Sequence, residues 1–385
     1  MPFRPSQARV LDEILAAQAA GLADQQAAVY KPGDKCVTCG LTRCSCIRCA
    51  VCRERVPRKT TCDKCHACAS HHEGYYPKDF PHRRCDYNAA VHVGNGMPPT
   101  TFAINPLHRT IGVEMELGVF APLAGHGTNN WINWEMHHDG SVSGSGQELV
   151  TNRMRGDQYI FGMSHLVRGL INGGSAVNET CGYHVHVDAA EMGPMDLRRI
   201  MVAFQLIQAD LYGTLVNSSR GTGTWGQTYC PKLKNDIAML MAMEDKNTFI
   251  NWLHQWLYQV SLPKKSDYEG AESLYKETLR GIDAQLKQYK GTKYMNRARR
   301  WALNLHSWMM RGTMEFRLKE GTLDPGDLIM WPLWCAWFIE KFGNASDKDI
   351  HYFMKKGLSV AAATEFMGDG ALSMPQYVAD WVRSK

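Results

Sequence analysis

The chain lacks any run of apolar residues long enough to cross a membrane. Its 385 residues are 44% hydrophobic and 21% charged, yet no stretch approaches the roughly 18 uninterrupted apolar residues that a spanning helix needs. The N-terminal sequence MPFRPSQARVLDEILAAQAAG also lacks the apolar core and the cleavage site of a secretory signal. We therefore expect a cytoplasmic protein that makes no membrane contact.

The chain also lacks a strong excess of either charge. Its formal net charge of +5 is mild for a chain of this size and identifies no partner. Cysteine is scarce beyond residue 85, where only Cys181, Cys230 and Cys335 occur. The length exceeds one ordinary hydrophobic core, so we expect two domains, or one large domain with an appendage.

The other ten of the 13 cysteines are concentrated between residues 36 and 85. Five C-x-x-C steps occur there, and this spacing lets two thiolates reach one tetrahedral zinc ion. The candidate zinc ligands are Cys36, Cys39, Cys44, Cys46, Cys49, Cys52, Cys62, Cys65, Cys68 and Cys85, with His66, His71, His72 and His82 nearby. These donors exceed the eight that two sites need, so two or three structural Zn²⁺ ions would fit. A disulfide-rich secreted module is the competing interpretation, but C-x-x-C steps close poor disulfide loops.

The charge of this cysteine-rich segment bears on its role. Eleven Lys and Arg residues face four Asp and Glu residues between residues 35 and 85. Eight thiolates on two zinc ions would cancel about four of the seven excess charges. The remaining positive charge is too small to indicate strong binding to the phosphate backbone of a nucleic acid. A structural or protein-docking role is therefore favoured over nucleic-acid binding, and oligomerisation is equally compatible with it.

Composition and periodicity divide the chain into four segments. Leu11, Ile14, Leu15 and Leu22 follow the spacing of an apolar helical stripe. A glycine- and proline-containing stretch precedes a region of strands and long helices. The predicted segments are an N-terminal helix at 1–33, a zinc-binding module at 34–86, a linker at 87–106 and a large domain of strands and helices at 107–385.

Three segments of the last region alternate apolar and ionisable side chains, as strands do: IGVEMELGVF, CGYHVHVD and TMEFRLK. Helical spacing occurs at 195–216, and further helices are predicted near 246–259, 266–289 and 326–342. Because no strict βαβ alternation is present, we predict an α+β fold with a mostly antiparallel, curved sheet and flanking helices.

The ionisable members of these strands are Glu114, Glu116, His184, His186, Glu315 and Arg317. If the strands pair in one sheet, these side chains share a face. Grouped carboxylates repel one another and desolvate badly unless cations neutralise them. Oxygen ligands with an imidazole suit Mg²⁺ or Mn²⁺ better than zinc.

The order of the motifs resembles the amidoligase family, and two of the strands are also similar to strands of glutamine synthetases. The pieces are GVEMELG (112–118), HDGSVSGSGQELVT (138–151), NETCGYHVHVD (178–188), NSSRGTGTWGQTYC (217–230), RRWALNL (299–305) and GTMEFRLKEGTLDP (312–325). The resemblance covers about residues 108–345 and implies a glutamine-synthetase-like catalytic domain. It also implies an ATP-dependent carboxylate–amine ligase that forms an amide through an acyl phosphate at a two-magnesium site.

The resemblance assigns roles by position. It implies that Glu114, His184 and Glu315 bind one metal ion that bridges the nucleotide phosphates. Glu116 and Glu148 would bind a second ion nearer the carboxylate substrate. Contacts to phosphate oxygens would come from His186 and Arg317, whereas Arg220 and Arg300 would hold the substrate carboxylate or the phosphoryl group in transfer. Asp139 would orient the amine or support a metal ligand. The family often has a Ser-Pro pair where this chain has Thr151–Asn152.

Other functions are compatible with the same residues. A phosphotransferase of the guanidino-kinase type would use a related sheet, and a non-catalytic zinc-containing binding protein or a metal-dependent hydrolase are further alternatives. The expected partners are a carboxylate and an amine. The appended zinc module suggests that one of them is a protein, a peptide or a modified nucleic acid, and it is equally compatible with a homo-oligomer.

Overall fold

The computed structural model describes most of the chain from residue 104 onward. The described residues are 104–107, 109–121, 132, 134–144, 146–189, 192–222, 230–258, 269–278, 298–370 and 372–385, together with the backbone of two short strands. These strands, β1 (Ile47–Arg48) and β2 (Arg55–Val56), pair in antiparallel fashion. The predicted N-terminal helix, the zinc ligands and the linker up to residue 103 lie outside the described residues.

An antiparallel sheet organises the described residues after 104. Its strands are β3 (Thr110–Leu117), β4 (Trp134–His138), β5 (Gln147–Thr151), β6 (Met154–Arg155), β7 (Gly182–Asp188), β8 (Leu303–Asn304) and β9 (Thr313–Glu320). They pair in the order β4-β5-β3-β7-β9-β8, and β6 pairs with β3. Each of these pairs is antiparallel. The predicted α+β class, with an open curved sheet and flanking helices, is confirmed.

Helices flank this sheet. They are α1 (Gly156–Gly173), α2 (Pro194–Thr214), α3 (Ser219–Thr222), α4 (Ile237–Met241), α5 (Lys246–Tyr258), α6 (His306–Arg311), α7 (Pro325–Asn344), α8 (Asp347–Lys356), α9 (Val360–Gly368) and α10 (Gln376–Arg383). The helices predicted at 195–216, 246–259 and 326–342 correspond to α2, α5 and α7. In the predicted 266–289 segment, the described part is helical over 272–278. The patterns above do not predict α1 or α8–α10.

The helix-covered face of the sheet forms the hydrophobic core. Phe316 of β9 packs edge-on against Phe204 of α2 at 5.9 Å and against Trp331 of α7 at 6.1 Å between ring centroids. Full burial of a large apolar side chain stabilises a fold by roughly 1.5–3 kcal/mol. Because side chains alternate along a strand, this burial fixes the ionisable residues on the opposite face. Among the described helices, none has both the length and the apolar character of a membrane span.

Candidate active site

The strand register brings the ionisable side chains of four strands together on the face opposite the helices. It pairs Glu116 with Glu148, Glu114 with His184, and His186 with Glu315. Neighbouring strands lie about 4.8 Å apart, so these side chains are within contact distance of one another. A register shift between β7 and β9 occurs between Tyr183 and Val185. At this shift Arg317 and Leu318 of β9 lie opposite the single residue His184 of β7, which is the residue count of a β-bulge in β9.

His184 lies among three carboxylates. Its Nδ1 is 3.3 Å from Glu114 Oε2 and 4.0 Å from Glu315 Oε1, and its Nε2 is 3.6 Å from Glu116 Oε1. His184 and Glu116 are both buried. The ring therefore has an acidic group near each nitrogen, as expected where a cation is shared between an imidazole and carboxylates.

His186 is held from one side and faces carboxylates on the other. Its Nδ1 is 3.2 Å from Thr313 Oγ1 and 3.4 Å from Ser307 Oγ. Its Nε2 is 3.1 Å from Glu114 Oε1 and 3.7 Å from Glu315 Oε2. Nevertheless, this buried Nε2 has no hydrogen-bond partner among the described residues, so the approach to Glu114 lacks hydrogen-bond geometry. A ring anchored through one nitrogen with the other left for coordination is the usual arrangement of a metal-binding histidine.

Glu315 is a buried carboxylate surrounded by donors. Asn304 Nδ2 donates to its Oε2 at 2.6 Å, and Arg317 Nη1 donates to its Oε1. Burial opposes its ionisation, but the charges of Arg317 and His186 outweigh this effect and lower the pKa of Glu315 to about 2. Burial likewise opposes ionisation of Glu114, yet His186 and His184 hold its pKa well below the ordinary value. Both carboxylates are therefore ionised at neutral pH.

The pKa of Glu148 shifts in the opposite direction, upward. Burial, followed by the charges of Glu114, Glu116 and Asp139, raises its pKa to about 8. A proton on Glu148 relieves the repulsion within this acidic group. A divalent cation would relieve the same repulsion, and for this reason the donors fit a metal ion.

Three sets of donor atoms lie close enough to hold metal ions. Within each set the atoms are less than 4.8 Å apart, and the sets are Glu114/Glu148/His184, Glu114/His186/Glu315 and Glu116/Asp139/Glu148. The resemblance groups Glu114 and Glu315 with His184, whereas this geometry groups them with His186. It also adds Asp139 to Glu116 and Glu148. Oxygen-rich sets with at most one imidazole fit Mg²⁺ or Mn²⁺.

Most of the donor residues line a cleft of about 420 Å³. Its lining residues are Glu114, His137, Asp139, Glu148, Val150, His184, Arg299, Asn304, His306, Ser307, Glu315 and Arg317. Of the other predicted site residues, Glu116 and His186 are buried beside the lining. Arg300 is half-buried and does not line the cleft, whereas the adjacent Arg299 does.

Arg220 of α3 lies beside the donor cluster, next to Gly182 of β7. It is buried, and its Nε has no hydrogen-bond partner among the described residues. A methyl group on Gly182 would lie 3.2 Å from Arg220 Nη2, 3.2 Å from Glu116 Oε2 and 2.9 Å from His184 Nε2. These three side chains therefore enclose the small space above Gly182.

A family model described as "Putative amidoligase enzyme" matches residues 135–339. The chain belongs to this amidoligase family. No curated protein and no solved structure matches the chain. Within the amidoligase, the matched segment runs from Glu135 of β4 to Ile339 of α7 and therefore includes β5, β7 and β9. Strand β3, with Glu114 and Glu116, precedes it and joins the site through the sheet. The family supports a ligase activity in general.

Five polar lining residues of the amidoligase cleft are absent from the sequence-based predictions: His137, Arg299, Asn304, His306 and Ser307. His137 lies directly opposite Glu148 on β4, and the alternation in WEMHH was a signal that could have revealed it. Asn304 lies in the L-N-L segment, whose apolar neighbours indicate a strand with one polar side chain on the site face. No local pattern identifies the other three.

If the donor sets hold Mg²⁺, Gly182→Ala should weaken its binding about 10–100-fold, the range for residues that orient metal ligands. The added methyl group would displace His184 and Glu116, because the space above Gly182 is too small for it. Calorimetric titration with MgCl₂ measures the change. Gly368→Ala is the matched control, because a methyl group there meets nothing within 4 Å. Equal Mg²⁺ affinity in both variants would contradict this arrangement.

Proposed function

We propose that this amidoligase is an ATP-dependent carboxylate–amine ligase that forms an amide through an acyl-phosphate intermediate at a site for two Mg²⁺ or Mn²⁺ ions. The observation that carries the proposal is the convergence of three donor sets on one polar cleft that Arg317 also lines. Glu114 and Glu148 each belong to two of these sets. A carboxylate has two oxygens that can each accept, so a shared residue can bind two adjacent cations.

The proposed reaction has two steps. An oxygen of the substrate carboxylate attacks the γ-phosphorus of ATP, the bond from that phosphorus to the bridging oxygen breaks, and ADP leaves. The amine then attacks the acyl carbon, the bond to phosphate breaks and phosphate leaves, and an acidic side chain or water takes the proton that the amine nitrogen loses. Phosphorylation is needed because a free carboxylate has a poor leaving group.

The residues of the cleft have distinct tasks in this scheme. Bound cations would neutralise charge on the phosphoryl group in transfer. Arg317 adds a guanidinium to the lining of the cleft, and the buried Arg220 adds positive charge near Glu116 and His184. Asp139 is half-buried on the lining and is suited to orient the amine. Holding both reactants in near-attack geometry can supply roughly 7–11 kcal/mol.

The test is release of ADP and phosphate by the full chain with MgCl₂, pooled carboxylates and pooled amines. We expect release that requires both pools, and mass spectrometry of the mixture should then identify the amide. Release that needs no amine and leaves a stable phosphorylated product would instead indicate a phosphotransferase. Unchanged ATP under all conditions would contradict ligation of small molecules. The predicted zinc module then makes a protein, a peptide or a nucleic acid the next acceptor to supply.

A further inference from the structure

The connection between β4 and β5 carries Asp139, one donor of the set Glu116/Asp139/Glu148. Asp139 N donates to Gly146 O at 2.7 Å, and this bond closes the base of the loop 139–146. Oδ1 of Asp139 accepts from Ser141 N at 2.7 Å, so the carboxylate is tied to its own loop. The place of Asp139 in the donor set therefore depends on how the loop itself is held.

The tip of the loop is held by the segment that joins α1 to β7. Thr180 Oγ1 accepts a hydrogen bond from Ser143 N at 2.9 Å, and Asn178 Nδ2 donates to Ser143 O, also at 2.9 Å. The hydroxyl oxygens of Ser143 and Thr180 lie 3.2 Å apart. Both backbone polar groups of Ser143 are thus bonded to one neighbouring segment, which fixes the position of the tip.

Hydrogen bonds within that segment orient the two side chains that hold the tip. Asn178 Oδ1 accepts from Thr180 N at 2.9 Å and from Thr180 Oγ1 at 2.6 Å. These directions are fixed by the partners, because a carbonyl oxygen can only accept and a backbone N–H can only donate. The amide of Asn178 therefore has its oxygen toward Thr180 and its nitrogen toward Ser143.

Close contacts between glycines place the same tip against the end of β3. A methyl group on Gly144 would lie 2.5 Å from Gly118 O, and one on Gly118 would overlap Asn178 Nδ2. Gly118 follows Glu116 by two positions, and Gly182 N, at the start of β7, donates to Glu116 Oε2. The segment 178–182 therefore bonds both the loop that carries Asp139 and the carboxylate of Glu116.

We propose that Asn178 and Thr180 are positioning residues that lock the loop of Asp139, so that the cation site of Glu116/Asp139/Glu148 is assembled before a metal ion binds. The inference rests on the proposed function, which places two Mg²⁺ or Mn²⁺ ions in this cleft. Residues that orient metal ligands in this way tune the affinity for the metal. The set Glu114/His186/Glu315 shares no residue with this one, so loss of the lock should act on one cation site and spare the other.

The lock is tested without metal by hydrogen–deuterium exchange of the full chain. Thr180→Val keeps the branched shape of the side chain and removes the hydroxyl that accepts from Ser143 N. We expect faster deuterium uptake in peptides that span residues 139–146, and the same in Asn178→Ala. Thr180→Ser retains the hydroxyl and should restore the wild-type uptake. Wild-type uptake in both Thr180→Val and Asn178→Ala would overturn the lock.

The effect on the cation site is tested by titrating the full chain with MnCl₂ alone and following free Mn²⁺ by electron paramagnetic resonance. We expect two Mn²⁺ affinities in the wild type and a loss of about 10–100-fold in one of them in Thr180→Val. Asp139→Asn should weaken the same affinity and Glu315→Gln the other, which assigns the two sites. Thr180→Ser should restore the lost affinity.

Two results of this titration would overturn the positioning role. One is an unchanged pair of affinities in Thr180→Val, and the other is an equal loss of both, which a general structural defect would cause. A selective loss in a protein that releases no ADP under any condition would uphold the positioning role and contradict the ligase function. The two proposals can therefore fail separately.

Discussion

Glu315→Gln should reduce ATP-dependent turnover by about 10³-fold or more while the fold persists. Glutamine keeps the size of the side chain and can still accept the hydrogen bond from Asn304. It lacks the charge that pairs with Arg317 and completes the donor set with Glu114 and His186. Several kcal/mol of charge stabilisation is expected to depend on that set, and each 1.4 kcal/mol is a factor of ten in rate. Release of ADP measures the loss, and circular dichroism reports the fold.

Two further variants make this result specific. Asn304→Ala should cost only about 10–100-fold, because Asn304 acts on the site through its hydrogen bond to Glu315. Glu365→Gln removes an exposed carboxylate on α9 and should leave turnover unchanged. A Glu315→Gln protein with full turnover would remove Glu315 from the chemistry. Equal losses in Asn304→Ala and Glu315→Gln would assign both residues a structural role.

The strands that carry the site were predictable because each one has a local pattern. Alternation in GVEMELG and GYHVHVD places apolar side chains in the core and leaves Glu114 and His184 on the other face. The grouping of donors was not predictable in the same way. It depends on which strands are neighbours and on the bulge beside His184, and both arise from pairing between segments far apart in the chain.

The part of the cleft formed by β8 and α6 was also not predictable from local sequence patterns. Strand β8 has two residues and α6 has six, so neither is long enough to show a period. Tyr258 and His306 are separated by 48 positions, and only the tertiary fold pairs them. Helix α1 was missed for a local reason. Gly162 and Gly169 lie in its interior, and each glycine costs about 1 kcal/mol of helix propensity relative to alanine.

Affinity for Mg²⁺ should rise about tenfold per pH unit between about pH 6 and pH 8, since one proton must leave before the metal binds. That proton is on Glu148, whose pKa of about 8 reflects burial first and then the neighbouring carboxylates. Metal coordination requires the ionised form. Calorimetry at pH 7 in buffers of different ionisation enthalpy should therefore show release of about one proton per Mg²⁺ bound.

The same group makes the stability of the metal-free protein depend on pH with a defined sign. The pKa of Glu148 is raised from 4.5 to about 8 on folding, so its contribution is fully present below pH 4.5 and is lost as the pH rises through 8. The metal-free Tm should therefore fall over this window, and MgCl₂ should reverse the fall. Glu114 and Glu315 have lowered pKa values and act only below 4.5.

Glu148→Gln separates this titration from every other source of pH dependence. The amide is uncharged throughout the window, so the variant should bind Mg²⁺ weakly and with little dependence on pH. Its metal-free Tm should stay nearly constant where that of the wild type falls. If the variant retained the wild-type slopes, another group would be responsible and the acidic cluster would not hold its proton on Glu148. If neither Mg²⁺ affinity nor Tm depended on pH in the variant, Glu148 would be the source of both effects. Protonation of Glu148 and binding of the cation would then relieve the same repulsion between carboxylates.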